Sequence, residues 1–162
     1  MPVPENDFKQ KVEKAIAEFI QKEGELLEMD VNERCITHSF ANYVDKAVNH
    51  IYGSNWKVDV EYNRHKRDIK TAEWEKQPRK FIPDIIVHKR QEDKNMLAIE
   101  IKKSTNKNKK AHCSDKSRLE RLVNSDKYNY EHGLYLLFKT GKDYSSKQVR
   151  ENYELQWYLK IQ

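Results

Sequence analysis

The chain has little cysteine and little glycine, and both shortages exclude classes of protein. Its 162 residues include two cysteines, Cys35 and Cys113, and four glycines. The two cysteines have no metal-like spacing, so neither a disulfide scaffold nor a zinc site is expected. A P-loop needs a glycine-rich segment to cradle phosphates, so nucleotide hydrolysis by a P-loop is excluded.

Long apolar runs are also missing. No segment approaches the roughly 20 consecutive apolar residues that a bilayer-spanning helix requires. The N-terminal residues 1–6 contain no charged-then-apolar leader. The default expectation is therefore a cytoplasmic protein that does not associate with a membrane.

Charge, in contrast, is abundant. Charged residues make up 35% of the chain and hydrophobic residues 37%, and the formal net charge is +5. The length predicts a single domain over 1–162 with enough residues for a sizeable core. A densely charged, moderately basic surface favours a polyanionic partner such as nucleic acid.

Hydrophobic periodicity predicts a fold of the α/β (α+β) class. Apolar residues at helical spacing predict an N-terminal helix over about 7–23 that stops at Gly24, and a second helix over about 31–52 that ends at Gly53. Strands are predicted over 56–62, 81–88, 96–102, 133–138 and 153–161, and a third helix over about 114–124. The polar residues 63–80 predict a long loop or a strand extension.

Two of these strands carry the most informative pattern of the chain. Pro83-Asp84 lies in one strand and Glu100-Ile101-Lys102 in the next, separated by a polar loop over 89–95. If this hairpin loop is centred on Glu92, Asp84 faces Glu100 with Cβ atoms roughly 5 Å apart. Alternation then places Lys102 on the same face and the apolar residues of both strands on the other face.

Two facing carboxylates repel each other unless a cation neutralises them. Oxygen ligands suit a hard ion such as Mg²⁺ or Mn²⁺. The alternative interpretation is that these acids only decorate a solvated sheet face. The pairing within one hairpin favours the metal site.

Glu33 opens the second helix and continues its buried stripe. One interpretation is a capping box with Asp30 as the cap, in which Glu33 satisfies backbone donors. The other is that Glu33 points inward and adds a third acid to the site. The two interpretations are compatible.

Together, these motifs and the element order resemble the PD-(D/E)XK nuclease superfamily, which has the restriction-endonuclease-like fold. The resemblance covers about 31–138 and rests on Pro83-Asp84, Glu100-Ile101-Lys102 and the helical acid Glu33. It implies a mixed central β-sheet flanked by helices in the order α-β-β-β-α-β. The N-terminal helix and a C-terminal extension over about 140–162 lie outside this core.

The resemblance also implies a function, namely metal-dependent hydrolysis of phosphodiesters, with DNA as the expected substrate. Asp84, Glu100 and the Ile101 carbonyl would bind Mg²⁺, and Glu33 would contact it through water or help a second ion. Lys102 would orient or deprotonate the attacking water and stabilise charge on the phosphate. Since a lysine near two acids stays charged, the electrostatic role is favoured. Nucleases of this fold often act as dimers, so a homodimer is allowed.

Two basic segments flank the predicted site. Residues 64–80 contain seven Lys or Arg and three Asp or Glu, and residues 102–118 contain seven Lys or Arg and Asp115 as the lone acid. Such segments contact phosphates or form ordinary solvated surface. Their position beside the acids favours phosphate contact, and the predicted nucleic-acid-binding residues are Arg64, Arg79, Lys103, Lys107, Lys109, Lys110 and Lys116.

Three other side chains are candidates for a role beside the site. His88 falls on the Asp84 face by alternation, although a plain surface histidine is the favoured interpretation. Trp74, within the charged loop, is the better candidate among the tryptophans for stacking on bases. Lys116 opens the third predicted helix as an auxiliary phosphate ligand.

Three classes of function remain open from the sequence. The first is a magnesium-dependent nuclease. The second is a non-catalytic nucleic-acid-binding module on the same fold, and the third is a protein-interaction domain whose charge is incidental. The complete acid-acid-lysine set favours the nuclease, because a surface that only binds phosphate has no use for acids beneath it.

Overall fold

The computed structural model of the protein describes residues 5–65, 68–71 and 82–161. Its three helices are α1 (Glu5–Glu28), α2 (Glu33–Tyr52) and α3 (Lys109–Val123). Its strands are β1 (Lys57–Val60), β2 (Arg64–His65), β3 (Asp68–Ile69), β4 (Ile85–Lys89), β5 (Lys94–Lys103), β6 (Tyr130–Phe138) and β7 (Tyr153–Leu159). Short 3₁₀ turns at Gly141–Asp143 and Val149–Asn152 precede β7. Within the predicted loop over 63–80, β2 and β3 form a short antiparallel pair, and Trp74 and Arg79 lie outside the described residues.

Five of the strands form a mixed sheet in the order β1-β4-β5-β6-β7. Only β5 and β6 run parallel, and α3 makes the crossover between them. Adjacent parallel strands need such a crossover because a hairpin can join only antiparallel strands. The predicted α/β class, mixed sheet and element order are confirmed, whereas the restriction-endonuclease-like assignment stays a prediction.

Helices α1 and α2 cover one face of the sheet. The face is apolar, and its aromatic centre consists of Phe19, Phe40 and Phe138, whose ring centroids lie 5.3–5.8 Å apart. The odd-numbered residues of the hairpin, Ile85, Val87, Leu97, Ile99 and Ile101, join this core. The sequence predicted this face correctly from strand alternation.

Helix α3 covers the opposite face, where a smaller core contains Ile86, Ala98, Leu119 and Leu122. Tyr128, Tyr130 and Tyr135 complete it. Lys70 is also buried on this side, with its ammonium 3.1 Å from the Tyr130 hydroxyl and 3.2 Å from the Tyr62 carbonyl oxygen. Burial lowers the pKa of Lys70 to about 7.

Helix α1 differs from its prediction at its C-terminal end. The helix does not stop at Gly24 but continues to Glu28 across a kink at Glu23, where φ is −121° and ψ is 19°. Gly24 is buried inside the helix, and a Cβ there would clash with the Tyr144 hydroxyl. The glycine is therefore required for close packing and does not terminate the helix.

Helices α2 and α3 both begin at an asparagine cap. Asn32 accepts a hydrogen bond from the Cys35 N–H, and Asn108 accepts one from the Ala111 N–H. α3 consequently begins five residues before its predicted start, at Lys109 and not at Ser114. α2 ends at Gly53, whose φ of 78° suits glycine, as predicted.

Candidate functional site

The predicted pair of Asp84 and Glu100 comes together at the start of β4. Ile85 pairs with Ile99 in the antiparallel ladder, so Asp84, one residue earlier, lies beside Glu100. The Ile101 N–H donates to Oδ2 of Asp84, with 2.7 Å between nitrogen and oxygen. The predicted facing of the two acids is confirmed by this register.

The hairpin register changes further along β4. A bulge between Val87 and His88 makes His88 pair with Asn95, so the predicted facing of positions 88 and 96 is wrong. His88 is also buried, at 4% exposure, with its Nε2 2.7 Å from Oδ2 of Asp59. It is therefore neither a surface histidine nor a neighbour of the acid pair.

The environment of the acid pair opposes two negative charges. Burial, followed by the charges of Asp84 and Asp115, raises the pKa of Glu100 well above the ordinary glutamate value. Burial also raises the pKa of Asp84, although the Ile101 N–H and Lys102 act against this rise. The pKa values of both carboxyls are therefore raised, and the site favours fewer than two negative charges on the pair.

Lys102 shares the face of Glu100, and its ammonium joins two helices. Its Nζ lies 3.3 Å from Oε1 of Glu33 on α2 and 2.9 Å from Oδ2 of Asp115 on α3. Burial alone would lower the pKa of Lys102, but the carboxylates of Asp115, Glu33 and Asp84 raise it above the ordinary lysine value. The ammonium therefore stays charged at neutral pH and is suited to stabilising anions.

Glu33 occupies the first position of α2 and points to the site. Its contact with Lys102 supports the inward interpretation from the sequence. The capping-box interpretation is wrong about the cap, since Asn32 caps α2. Asp30 instead accepts from the Thr105 hydroxyl at 3.0 Å and pairs with the Lys103 ammonium at 2.9 Å.

Asp115 is a site residue that sequence reasoning missed. It lies on α3 with its side chain only 12% exposed, between Lys102 and Arg118, whose Nη1 is 3.8 Å from Oδ1 of Asp115. Two signals pointed to it. Asp115 is the lone acid in a basic segment, and it precedes Leu119 and Leu122 by four and seven residues, on the stripe that faces the sheet.

Tyr135 on β6 is the cross-strand partner of Glu100 and extends the polar cluster. Its hydroxyl is hydrogen-bonded to Nδ1 of His112, whose Nε2 lies 2.8 Å from the Asn106 carbonyl oxygen. Because a carbonyl only accepts, the neutral imidazole carries its proton on Nε2, and Nδ1 accepts from Tyr135. The Lys116 ammonium lies 4.7 Å from the centre of the Tyr135 ring. Burial raises the pKa of Tyr135 to about 12.

The donor chemistry of the acid pair fits a hard cation. Glu100 is buried, Asp84 is half-buried, and both carboxyls have raised pKa values, so added positive charge would stabilise their ionised forms. The Ile101 carbonyl lies on the Asp84 side of β5, because the N–H and C=O of a strand residue point to the same side. Mg²⁺ commonly takes one or two carboxylates and completes its shell with water and substrate phosphate.

The described residues do not form a preformed cage of metal-binding side chains. In the described part of the chain, no group of three or more His, Cys, Asp or Glu side chains is arranged to hold a metal ion. Glu33 is paired with Lys102 through Oε1. Among the described side chains, Asp84 and Glu100 are therefore the candidate ligands for an ion.

The predicted nucleic-acid-binding residues differ in their availability. Arg64, Lys107, Lys109 and Lys110 are exposed, and Lys116 is half-buried against Tyr135. Lys103 is engaged internally. Its side chain is 16% exposed, and its ammonium contacts the Asp30 carboxylate and the Val31 carbonyl oxygen at 2.9 Å each. Lys109 and Lys110 belong to the first turn of α3 and not to a loop.

Comparisons with known proteins identify no relative. No family model matches the chain, and neither a curated protein nor a solved structure is significantly similar to it. Across the described residues, no helix combines the length and apolar character needed to cross a membrane.

Proposed function

We propose that the protein is a metal-dependent nuclease that hydrolyses phosphodiester bonds, with DNA as its substrate. The observation that carries the proposal is the convergence of Asp84, Glu100 and Lys102 on the α3 face of the sheet, with Glu33 beside them. Two carboxyls and an ammonium at one site match the needs of phosphodiester hydrolysis, in which a cation and a positive side chain balance the charge of the phosphate.

Each residue has a role in this proposal. Asp84 and Glu100, with the Ile101 carbonyl, hold Mg²⁺ or Mn²⁺. Once bound, the ion supplies Lewis acidity toward a phosphoryl oxygen and lowers the pKa of a water. Asp84 is oriented by the Ile101 N–H. Lys102 carries a permanent positive charge and stabilises the negative charge that develops on the phosphate.

The substrate would approach over the exposed lysines at the start of α3. Lys109 and Lys110 lie in the first turn of this helix, and Lys107 lies just before it. Contacts from these side chains to phosphates release counterions and make binding dependent on salt. The same helix therefore carries both the exposed lysines that would contact phosphates and Asp115, which pairs with Lys102.

The experiment is a cleavage assay on duplex and single-stranded DNA with Mg²⁺ or Mn²⁺, and with EDTA as the control. The test variants are Asp84→Asn and Lys102→Met. In Asp84→Asn the new amide oxygen still accepts from the Ile101 N–H, so folding is preserved while one anionic ligand is lost. We expect each variant to lose about 10²–10³-fold in cleavage rate, the size of effect seen when a charge-stabilising group is removed. Cleavage at the wild-type rate by both variants would contradict the site.

A second candidate function is a non-catalytic nucleic-acid-binding module. Lys102 is already paired with two carboxylates, and no ready metal cage exists among the described side chains. These observations suit a cluster that only stabilises the fold. Salt-dependent DNA binding by the wild-type protein, with no turnover in any divalent ion, would favour this function over the nuclease.

A further inference from the structure

Asp115 is an acid in a position where the fold calls for an apolar residue. It lies on the stripe of α3 that packs against the sheet, and 8% of its surface is exposed. In the described part of the chain, no donor makes a well-directed hydrogen bond to Oδ2 of Asp115. The charge of this oxygen is balanced by the Lys102 ammonium 2.9 Å away.

Burying a carboxylate is costly unless a partner compensates the lost hydration. A leucine at position 115 would continue the stripe of Leu119 and Leu122 without that cost. A charged pair at this place is therefore weak as a device for stability. Its specific effect is geometric, because it fixes the end of a long side chain.

Lys102 has four rotatable bonds, and its ammonium is held from two elements. Asp115 approaches it from α3, and Glu33 approaches from α2 at 3.3 Å. Carboxylates from two helices thus hold the ammonium between them. Glu100 and Lys102 are two residues apart on β5, so their side chains lie on the same face of the sheet, and Asp84 lies beside Glu100.

We propose that Asp115 is a positioning residue that holds the Lys102 ammonium beside the Asp84–Glu100 pair. This inference rests on the proposed nuclease function, because the position matters for catalysis only if a phosphate is hydrolysed there. Asp115 itself does not touch the substrate. It acts through Lys102, and it makes α3 a structural part of the site.

The first test is kinetic and uses Asp115→Asn, which keeps the shape of the side chain and removes its charge. We expect kcat to fall about 10–100-fold, as for other residues that orient a functional group from behind. KM for DNA should change much less, since an interaction that matters in the transition state lowers kcat. Glu120→Gln is the matched control. It removes the same charge from an exposed position of the same helix and should leave kcat unchanged.

Asp115→Glu is the second variant, and it keeps the result interpretable if Asp115→Asn does not fold. It restores the charge but moves the carboxylate by one methylene. We expect its kcat to fall between those of the wild type and Asp115→Asn. A kcat equal to the wild-type value would contradict a role that depends on position.

The second test needs neither metal nor substrate. Acetic anhydride is added to the metal-free protein, and acetylation of Lys102 relative to the exposed Lys110 is followed by mass spectrometry. The pair with Asp115 protects the Lys102 amine, so Asp115→Asn should increase the relative rate several-fold, whereas Glu120→Gln should not. An unchanged rate in Asp115→Asn would overturn the inference whatever the activity.

The two tests distinguish the positioning role of Asp115 from the proposed nuclease function. If the wild type cleaves DNA and Asp115→Asn is acetylated faster but keeps its kcat, the catalytic role of the position is refuted and the nuclease stands. If the wild type does not cleave with any divalent ion, the proposed function fails. Asp115 is then a structural partner of Lys102 and the inference falls with the function.

Discussion

The two faces of the central sheet differ in the kind of side chain they bury. The face beneath α1 and α2 is filled with aliphatic and aromatic residues around Phe138. The three Asp, Glu or Lys side chains that are buried among the described residues, Lys70, Glu100 and Asp115, all lie on the α3 side. Burial without charge stabilises a fold, while buried charge reduces stability unless it is compensated. The apolar face therefore contributes most of the stability, and the α3 face carries the charged side chains of the candidate site.

The largest change in the free energy of unfolding is expected on the apolar face. Phe138→Ala removes a fully buried ring that contacts Phe19 and Phe40. We expect the free energy of unfolding to fall by about 3–5 kcal/mol, measured by urea denaturation. Tyr135→Phe, on the opposite face of the same strand, loses only the hydroxyl that bonds His112 and should cost about 1 kcal/mol. Equal losses would refute the division between the two faces.

A smaller effect of opposite sign is expected on the charged face. Glu100→Gln removes a carboxyl whose ionised form is disfavoured by burial. We expect the metal-free variant to gain about 0.5–2 kcal/mol in unfolding free energy at neutral pH, the usual size of a stabilising substitution, while it loses cleavage. Chemical denaturation of both proteins with EDTA present measures this gain. A loss of stability in the variant would show that Glu100 is compensated better than its surroundings indicate.

The stability of the charged face should also depend on pH. The pKa of Glu100 is raised on folding, so the folded protein binds more protons than the unfolded chain above the ordinary value of 4.5. The contribution of Glu100 to stability is therefore complete below about pH 4 and is lost as the pH rises toward the folded-state pKa. The gain from Glu100→Gln should grow over this range, measured by urea denaturation at a series of pH values. A gain that is independent of pH would contradict the raised pKa.

The smallest change in stability is expected at Lys110, one of two lysines that look alike in the sequence. Lys110→Ala removes an exposed charge and should change stability by less than about 0.5 kcal/mol. It should also lower the slope of log K against log salt for DNA binding by about 1. Lys103→Ala removes the ammonium that contacts the Val31 carbonyl and the Asp30 carboxylate, so it should cost about 1–3 kcal/mol and leave the slope unchanged. Titrations at several salt concentrations measure the slopes.

The sequence was sufficient for the hairpin because its physical constraint is strong. Centring the loop on Glu92 gives the register of Ile85 with Ile99, and alternation supports it, because a one-residue slip would send the apolar side chains to the wrong face. The bulge at His88 did not follow, since an extra residue in a strand leaves the composition of the strand unchanged. Strand alternation also places the Lys103 side chain on the other face of the sheet from Lys102, toward α2. A count of the basic residues in the segment does not show this difference.

Other parts of the site depend on contacts that local sequence does not encode. Whether Asp115 meets Lys102 is decided by how α3 packs over the sheet, and a helical stripe alone does not fix this. The predicted start of α3 is too late because lysines fill its first turn and hide the apolar periodicity, whereas Asn108 sets the true boundary. The sequence allowed two roles for Glu33, and its contact with the Lys102 ammonium distinguishes them.

The bond from the Ile101 N–H to Asp84 limits what this carboxylate can do. Oδ2 accepts an N–H from the main chain of the neighbouring strand, and this bond fixes the orientation of the carboxylate. A ligand of Asp84 would therefore meet a carboxylate whose direction is already set by the sheet. Any substitution that cannot accept that N–H, such as alanine, would leave β5 with a bare donor, so loss of activity in such a variant would mix catalysis with misfolding.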